Sequence, residues 1–180
     1  MSRVNVKLLG VCAALALCGA PLAVHAEPIL SLGLPGLPQP ESYLPGPPLA
    51  NRIELSLSQR RVTLYQDDQR LGQYPVGVGR PGWETPVGQF AVKTKIVNPS
   101  WKHPFEGYVI PSGDPQNPLG NRWIGFWTDG DNWVGFHGTS SSMRASVGTA
   151  ASHGCVRMLD EHIEKMFELV SVGTPVIVTP

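Results

Sequence analysis

The chain has 180 residues with 14 basic and 14 acidic side chains, and 42% of it is apolar, an ordinary globular balance. No basic stripe or arginine-rich run occurs, so nucleic-acid binding has no electrostatic footprint and nothing favours recognition of a polyanion. Three cysteines, Cys12, Cys18 and Cys155, are too few for a disulfide-dense scaffold.

Residues 1–26 have the three parts of a cleaved export signal. Arg3 and Lys7 form a basic start, an apolar run follows from Leu8 to Ala20, and Val24-His25-Ala26 closes the segment. The run is shorter than the roughly 20 residues a membrane span needs, so no membrane span is expected. Leu17, just before Cys18, is unsuited to lipid attachment at that cysteine. A protein exported to the periplasm or cell envelope, starting near Glu27, is the expectation. Removing the signal leaves 12 basic and 14 acidic residues, a net charge of −2.

Residues 27–50 form a proline-rich linker. Seven prolines fall between Pro28 and Ala50, with Glu41 as the one charge there. Such density favours extended polyproline II over packing. Residues 51–180 remain as a single domain, long enough for one hydrophobic core.

Within that domain, Arg52–Leu57 and Arg61–Tyr65 alternate polar and apolar around a Ser58-Gln59 corner, which reads as a hairpin. Gln66–Gln69 is the next turn and Leu71–Val78 a third strand. Val87–Val97 reads as one further strand. Short strands are expected near Tyr108–Ile110, Trp123–Phe126, Trp133–Phe136 and Pro175–Val178. Ile163, Met166, Phe167 and Val170 form an apolar stripe at helical spacing, with Asp160 as the cap and Gly173 as the stop. The fold class is mostly β, a single sandwich or barrel-like domain with one or two short helices.

Cys155 would be the only cysteine left after export. A lone thiol is either inert filler or a reactive group. Reactivity requires a base to take its proton and a third group to orient that base. Two histidines compete for the role of base: His153, two residues before the cysteine, and His137 at a strand end, where Gly138 offers a carbonyl to the ring. Gly154 allows an unusual backbone shape, so the amides of Gly154 and Cys155 are candidate oxyanion donors. Arg157 is placed to bind a substrate carboxylate. A zinc site of His137, His153, Cys155 and His162 is the rival, but the spacing matches no common finger and no CxxC pair exists.

His137-Gly138-Thr139 followed by Ser152-His153-Gly154-Cys155-Val156-Arg157 resembles the signature of the L,D-transpeptidases of the bacterial cell wall, the YkuD-domain family. Thr85-Pro86-Val87-Gly88 and Asn117-Pro118-Leu119-Gly120 leading into Trp123-Ile124 are similar to that family as well. The likeness spans 51–180. It implies a mostly β catalytic domain with Cys155 as nucleophile, His137 as proton acceptor and the Gly138 carbonyl as its orienting partner. His153 would support the site, and Ser152, Gly154 and Arg157 would serve the oxyanion or the substrate. Many members carry Asn where this chain has Arg157. The resemblance also implies the partners: peptidoglycan stem peptides, with another stem or an envelope lipoprotein supplying the acceptor amine. No metal or organic cofactor is called for. A hydrolase of the same fold and a non-catalytic wall-binding module are the alternatives.

Overall fold

The structure is a computed structural model that describes residues 50–180. The export signal and the proline-rich linker expected from the sequence lie outside the described residues. The elements are β1 (Arg52–Ser56), β2 (Arg61–Gln66), β3 (Gln69–Pro75), β4 (Val78–Gly79), β5 (Gly88–Ala91), β6 (Thr94–Val97), β7 (Trp101–Lys102) and β8 (Val109–Ile110). They continue with β9 (Arg122–Thr128), β10 (Trp133–His137), a 3-10 turn (Ser141–Ser146), β11 (Ala150–Ser152), β12 (Val156–Arg157), α1 (Asp160–Leu169) and β13 (Pro175–Thr179).

One sheet has the order β3-β2-β1-β13-β5 and a second the order β12-β10-β9-β6. β4 pairs with β11, and β7 with β8, as two small ribbons. The expected hairpin is present: β1 and β2 are antiparallel, with Ile53 opposite Leu64 and Leu55 opposite Val62. All four of those side chains are fully buried, which is why alternation in this stretch fixes the register. The last strand, β13, runs parallel to β1. The two sheets and α1 share one core in which Ile53, Leu64, Ile124, Phe126, Phe136, Met158, Ile163 and Met166 have no exposed surface.

Three expectations are corrected. The single strand expected over Val87–Val97 is two: β5 joins β13 in the first sheet and β6 joins β9 in the second. The crossing falls at Val92 and Lys93, whose amides donate to Thr174 and to Gly125 respectively. The third strand starts and stops earlier than expected, and the chain breaks at Val76-Gly77 before β4. Finally, α1 is ended by other means than Gly173. Val170 is already extended, and Lys95 Nζ donates to the carbonyls of Phe167 (2.7 Å) and Val170 (2.6 Å), meeting acceptors the helix leaves open. Gly173, at φ +95°, turns the chain into β13 instead.

Candidate active site

The site is built on one face of the second sheet. Along β9, β10 and the β12 segment, Ile124, Phe126, Val134, Phe136, Val156 and Met158 all enter the core. Side chains alternate across a strand, so Trp123, Gly125, Gly135, His137 and Arg157 occupy the opposite face. β10 and β12 are parallel, with Phe136 beside Val156 and His137 beside Arg157. Cys155 therefore falls level with Gly135, one step before the paired residues. Glycine is required at that level. A Cβ on Gly135 would lie 2.5 Å from the Ile124 carbonyl and 2.8 Å from the Trp123 ring.

The sulfur of Cys155 packs against the β10 backbone. Its S–H donates to the Trp133 carbonyl at 3.6 Å, and the Gly135 amide is close enough to favour the ionised sulfur. The residue as a whole keeps part of its surface exposed. Burial of the sulfur pushes the thiol up from its ordinary range, while the Gly135 amide and the Arg157 charge pull it down. Arg157 is partly buried and forms no ion pair among the described residues. Its charge also acts on both nearby histidines, lowering the proton affinity of each.

His137 is 3% exposed and stacks on Trp123 with centroids 6.2 Å apart. Its Nδ1 lies 2.5 Å from the Gly138 carbonyl. A carbonyl only accepts, so Nδ1 carries the hydrogen and Nε2 is left as the basic nitrogen. Burial drives the ring's pKa down to about 4, partly opposed by the bond to Gly138 and reinforced by Arg157. The imidazole is neutral at pH 7, and so is the thiol.

His153 is differently employed. It sits in a bend, exposed, with Nε2 2.9 Å from Arg80 Nη2. Guanidinium only donates, so that nitrogen accepts from Arg80. The ring stands edge-on to Trp83 (4.9 Å) and Phe105 (6.3 Å). Burial, then Arg80 and Arg157, lower its proton affinity. His162 lies elsewhere, on α1 against Tyr74 at 5.0 Å.

The turn between β11 and β12 is closed by two hydroxyls. Ser152 Oγ accepts from the Gly154 amide (3.1 Å) and donates to the Cys155 carbonyl (2.6 Å). Thr85 Oγ donates to the Gly154 carbonyl at 2.8 Å. The expectation that the Gly154 and Cys155 amides turn inward together is corrected by this arrangement. The Gly154 amide is occupied by Ser152, and only that of Cys155 has no acceptor among the described residues. Asp160 also departs from its expected role. It caps nothing in α1, and its Oδ1 accepts from the Thr139 amide at 3.1 Å, directly after His137-Gly138.

Several contributors were not singled out from the sequence as parts of the site: Trp133 through its carbonyl, Gly135 through its amide, Arg80 and the hydroxyl of Thr85. Main-chain groups leave no side-chain signature. Thr85 did stand within a recognisable motif, Thr85-Pro86-Val87-Gly88, and that was the available signal.

A buried imidazole and the one thiol among the described residues thus share a face of the second sheet. The YkuD family model, described as the L,D-transpeptidase catalytic domain, matches residues 50–178, and the chain belongs to that family. Among its relatives, YqjB of Bacillus subtilis, assigned to the L,D-transpeptidases, is 37% identical over 145 residues, covering 79% of this chain and 77% of that one. YcfS of Escherichia coli, assigned likewise, is 27% identical over 150 residues, covering 76% of this chain and 46% of the relative. The fold also resembles that of L,D-transpeptidase 3 from Mycobacterium tuberculosis in complex with a faropenem-derived adduct. The TM-score is 0.60 at 21% identity, over 73% of this chain and 60% of that longer one. No described helix is long and apolar enough to cross a membrane.

Proposed function

We propose that the protein is a cysteine-dependent peptidoglycan L,D-transpeptidase of the cell envelope, delivered there by the signal-like residues 1–26. The observation that carries this reading is the pairing of β10 with β12. It sets His137, with its hydrogen committed to Gly138 and Nε2 free to accept, on the same face as Cys155 and Arg157.

At rest, thiol and imidazole are both neutral. Proton transfer from Cys155 to His137 Nε2 then accompanies attack on the carbonyl of the third residue, a diamino acid, in a tetrapeptide stem. The sulfur–carbon bond forms, the carbonyl oxygen takes negative charge, and the Cys155 amide donates to it. His137 returns the proton to the departing nitrogen, and D-alanine leaves. An amine of a second stem, or of an envelope lipoprotein, attacks the thioester and frees the thiol. Arg157, a guanidinium with no carboxylate partner among the described residues, binds a carboxylate of the donor stem.

Incubating the protein with tetrapeptide stems, with and without an amine acceptor, tests the reading by mass spectrometry. Cross-linked product together with released D-alanine is the expected result; free tripeptide alone would assign the chain to hydrolysis. Cys155→Ala should abolish D-alanine release while the protein keeps its unfolding transition. Retained turnover in that variant would remove Cys155 as the nucleophile.

A further inference from the structure

Thr85 lies outside the cysteine motif, in the connection between β4 and β5, and is 2% exposed. Its hydroxyl has no freedom. It accepts from the Gly79 amide (3.1 Å), so its single hydrogen is spent on the Gly154 carbonyl (2.8 Å). Gly79 is in turn fixed opposite Ser152 by the pairing of β4 with β11. One buried oxygen thus ties the turn that carries the nucleophile to the strand beside it.

The Gly154 carbonyl and the Cys155 amide belong to the same peptide unit. In a trans peptide the C=O and N–H point in opposite directions from one plane. Holding the carbonyl on Thr85 therefore turns the Cys155 amide away from it. Gly154, at φ +105°, adopts a backbone shape that side-chain-bearing residues avoid, so the turn needs outside support to keep one orientation. Ser152 occupies the amide on the other side of Gly154, leaving the Cys155 N–H, the turn's donor nearest the sulfur, without an acceptor among the described residues.

We propose that Thr85 is a positioning residue that aims the Cys155 N–H at the oxyanion formed during acyl transfer, acting through the Gly154 carbonyl. The assignment rests on the reading of Cys155 as nucleophile. It is separable from a general structural role because two kinds of electrophile make different demands. Iodoacetamide is displaced at a saturated carbon: the sulfur–carbon bond forms, iodide leaves, and no oxyanion appears. Imipenem is attacked at its lactam carbonyl: the sulfur–carbon bond forms, the oxygen takes the charge, and the ring nitrogen departs and is protonated.

The experiment compares wild type, Thr85→Val and Thr85→Ser, with rates of modification at Cys155 read by intact-protein mass spectrometry and unfolding temperatures measured alongside. In Thr85→Val, acylation by imipenem should slow by about 10- to 100-fold, short of or reaching the loss seen on deleting an oxyanion donor. Alkylation, which follows thiolate fraction and access, should stay within about twofold of wild type. Thr85→Ser retains the hydroxyl and should restore acylation to within about threefold. Equal losses in both reactions, or no loss in either, would overturn the assignment. Should Thr85→Val not fold, Thr85→Ala removes the same oxygen without a second methyl group and reports the same ratio. A wild type that alkylates but resists imipenem would overturn the nucleophile reading, and the assignment with it.

Discussion

His137 and His153 stand sixteen residues apart in the chain and in opposite physical surroundings. The first closes a central strand, is buried among Trp123 and the β10–β12 pair, and has one nitrogen consumed by a backbone carbonyl. The second occupies an exposed bend, propped between a guanidinium and two aromatic rings. Closeness in sequence favours His153 as the cysteine's base; the pairing of strands favours His137. The difference teaches that a ring can be fixed and still keep a nitrogen in reserve. Nδ1 of His137 is committed to Gly138 and its Nε2 has no hydrogen-bond partner among the described residues, whereas Nε2 of His153 accepts from Arg80.

The largest expected effect that tests this contrast is kinetic. His137→Ala should lower the rate of D-alanine release by about 10²- to 10⁴-fold, the range for losing a positioned general base. His153→Ala should lower it by less than about tenfold. Single-turnover measurements with a tetrapeptide stem decide the matter, and the reverse ranking would exchange the two roles.

The next effect is on stability. The unfolded His137 ring takes a proton below about 6.5, and the folded ring only below about 4. Between those values the unfolded state holds more protons, so acidification destabilises the protein. The contribution approaches roughly 3 kcal/mol by the lower end of that window. Urea unfolding from pH 7 to pH 4 should show this slope in the wild type and a weaker one in His137→Gln. An identical slope in both would mean that the ring is not held neutral by burial. The smallest effect concerns the exposed ring. Arg80→Ala removes a positive neighbour, so the NMR titration midpoint of His153 should rise; a fall or no change would show that Arg80 does not act on it.

Much of this fold could be read from the residues in order. The β1–β2 hairpin and the buried stripe of α1 announce themselves because one face of each element is apolar at the element's own period. The motif from Ser152 to Arg157 singled out the thiol, while its place beside strand β10 came only from the pairing of β10 with β12. What alternation cannot convey is which sheet a strand joins. Val87–Val97 is continuous in pattern, yet its halves belong to different sheets, a choice made by partners as distant as Thr174 and Gly125. Hydrogen-bond competition was likewise out of reach. Asp160 looks like a helix cap, but the Thr139 amide claims it, and Gly154 looks like an oxyanion donor until Ser152 takes its hydrogen.

The ring of His137 is oriented by a main-chain carbonyl where a carboxylate would be the other common choice. Such a partner bears no ionisable proton, so its grip is the same in acid and in alkali. No point mutation deletes it either, since every amino acid brings the same C=O to position 138. The proton affinity of this ring is therefore adjusted through its surroundings, the charge of Arg157 and the burial to which the stacked Trp123 contributes.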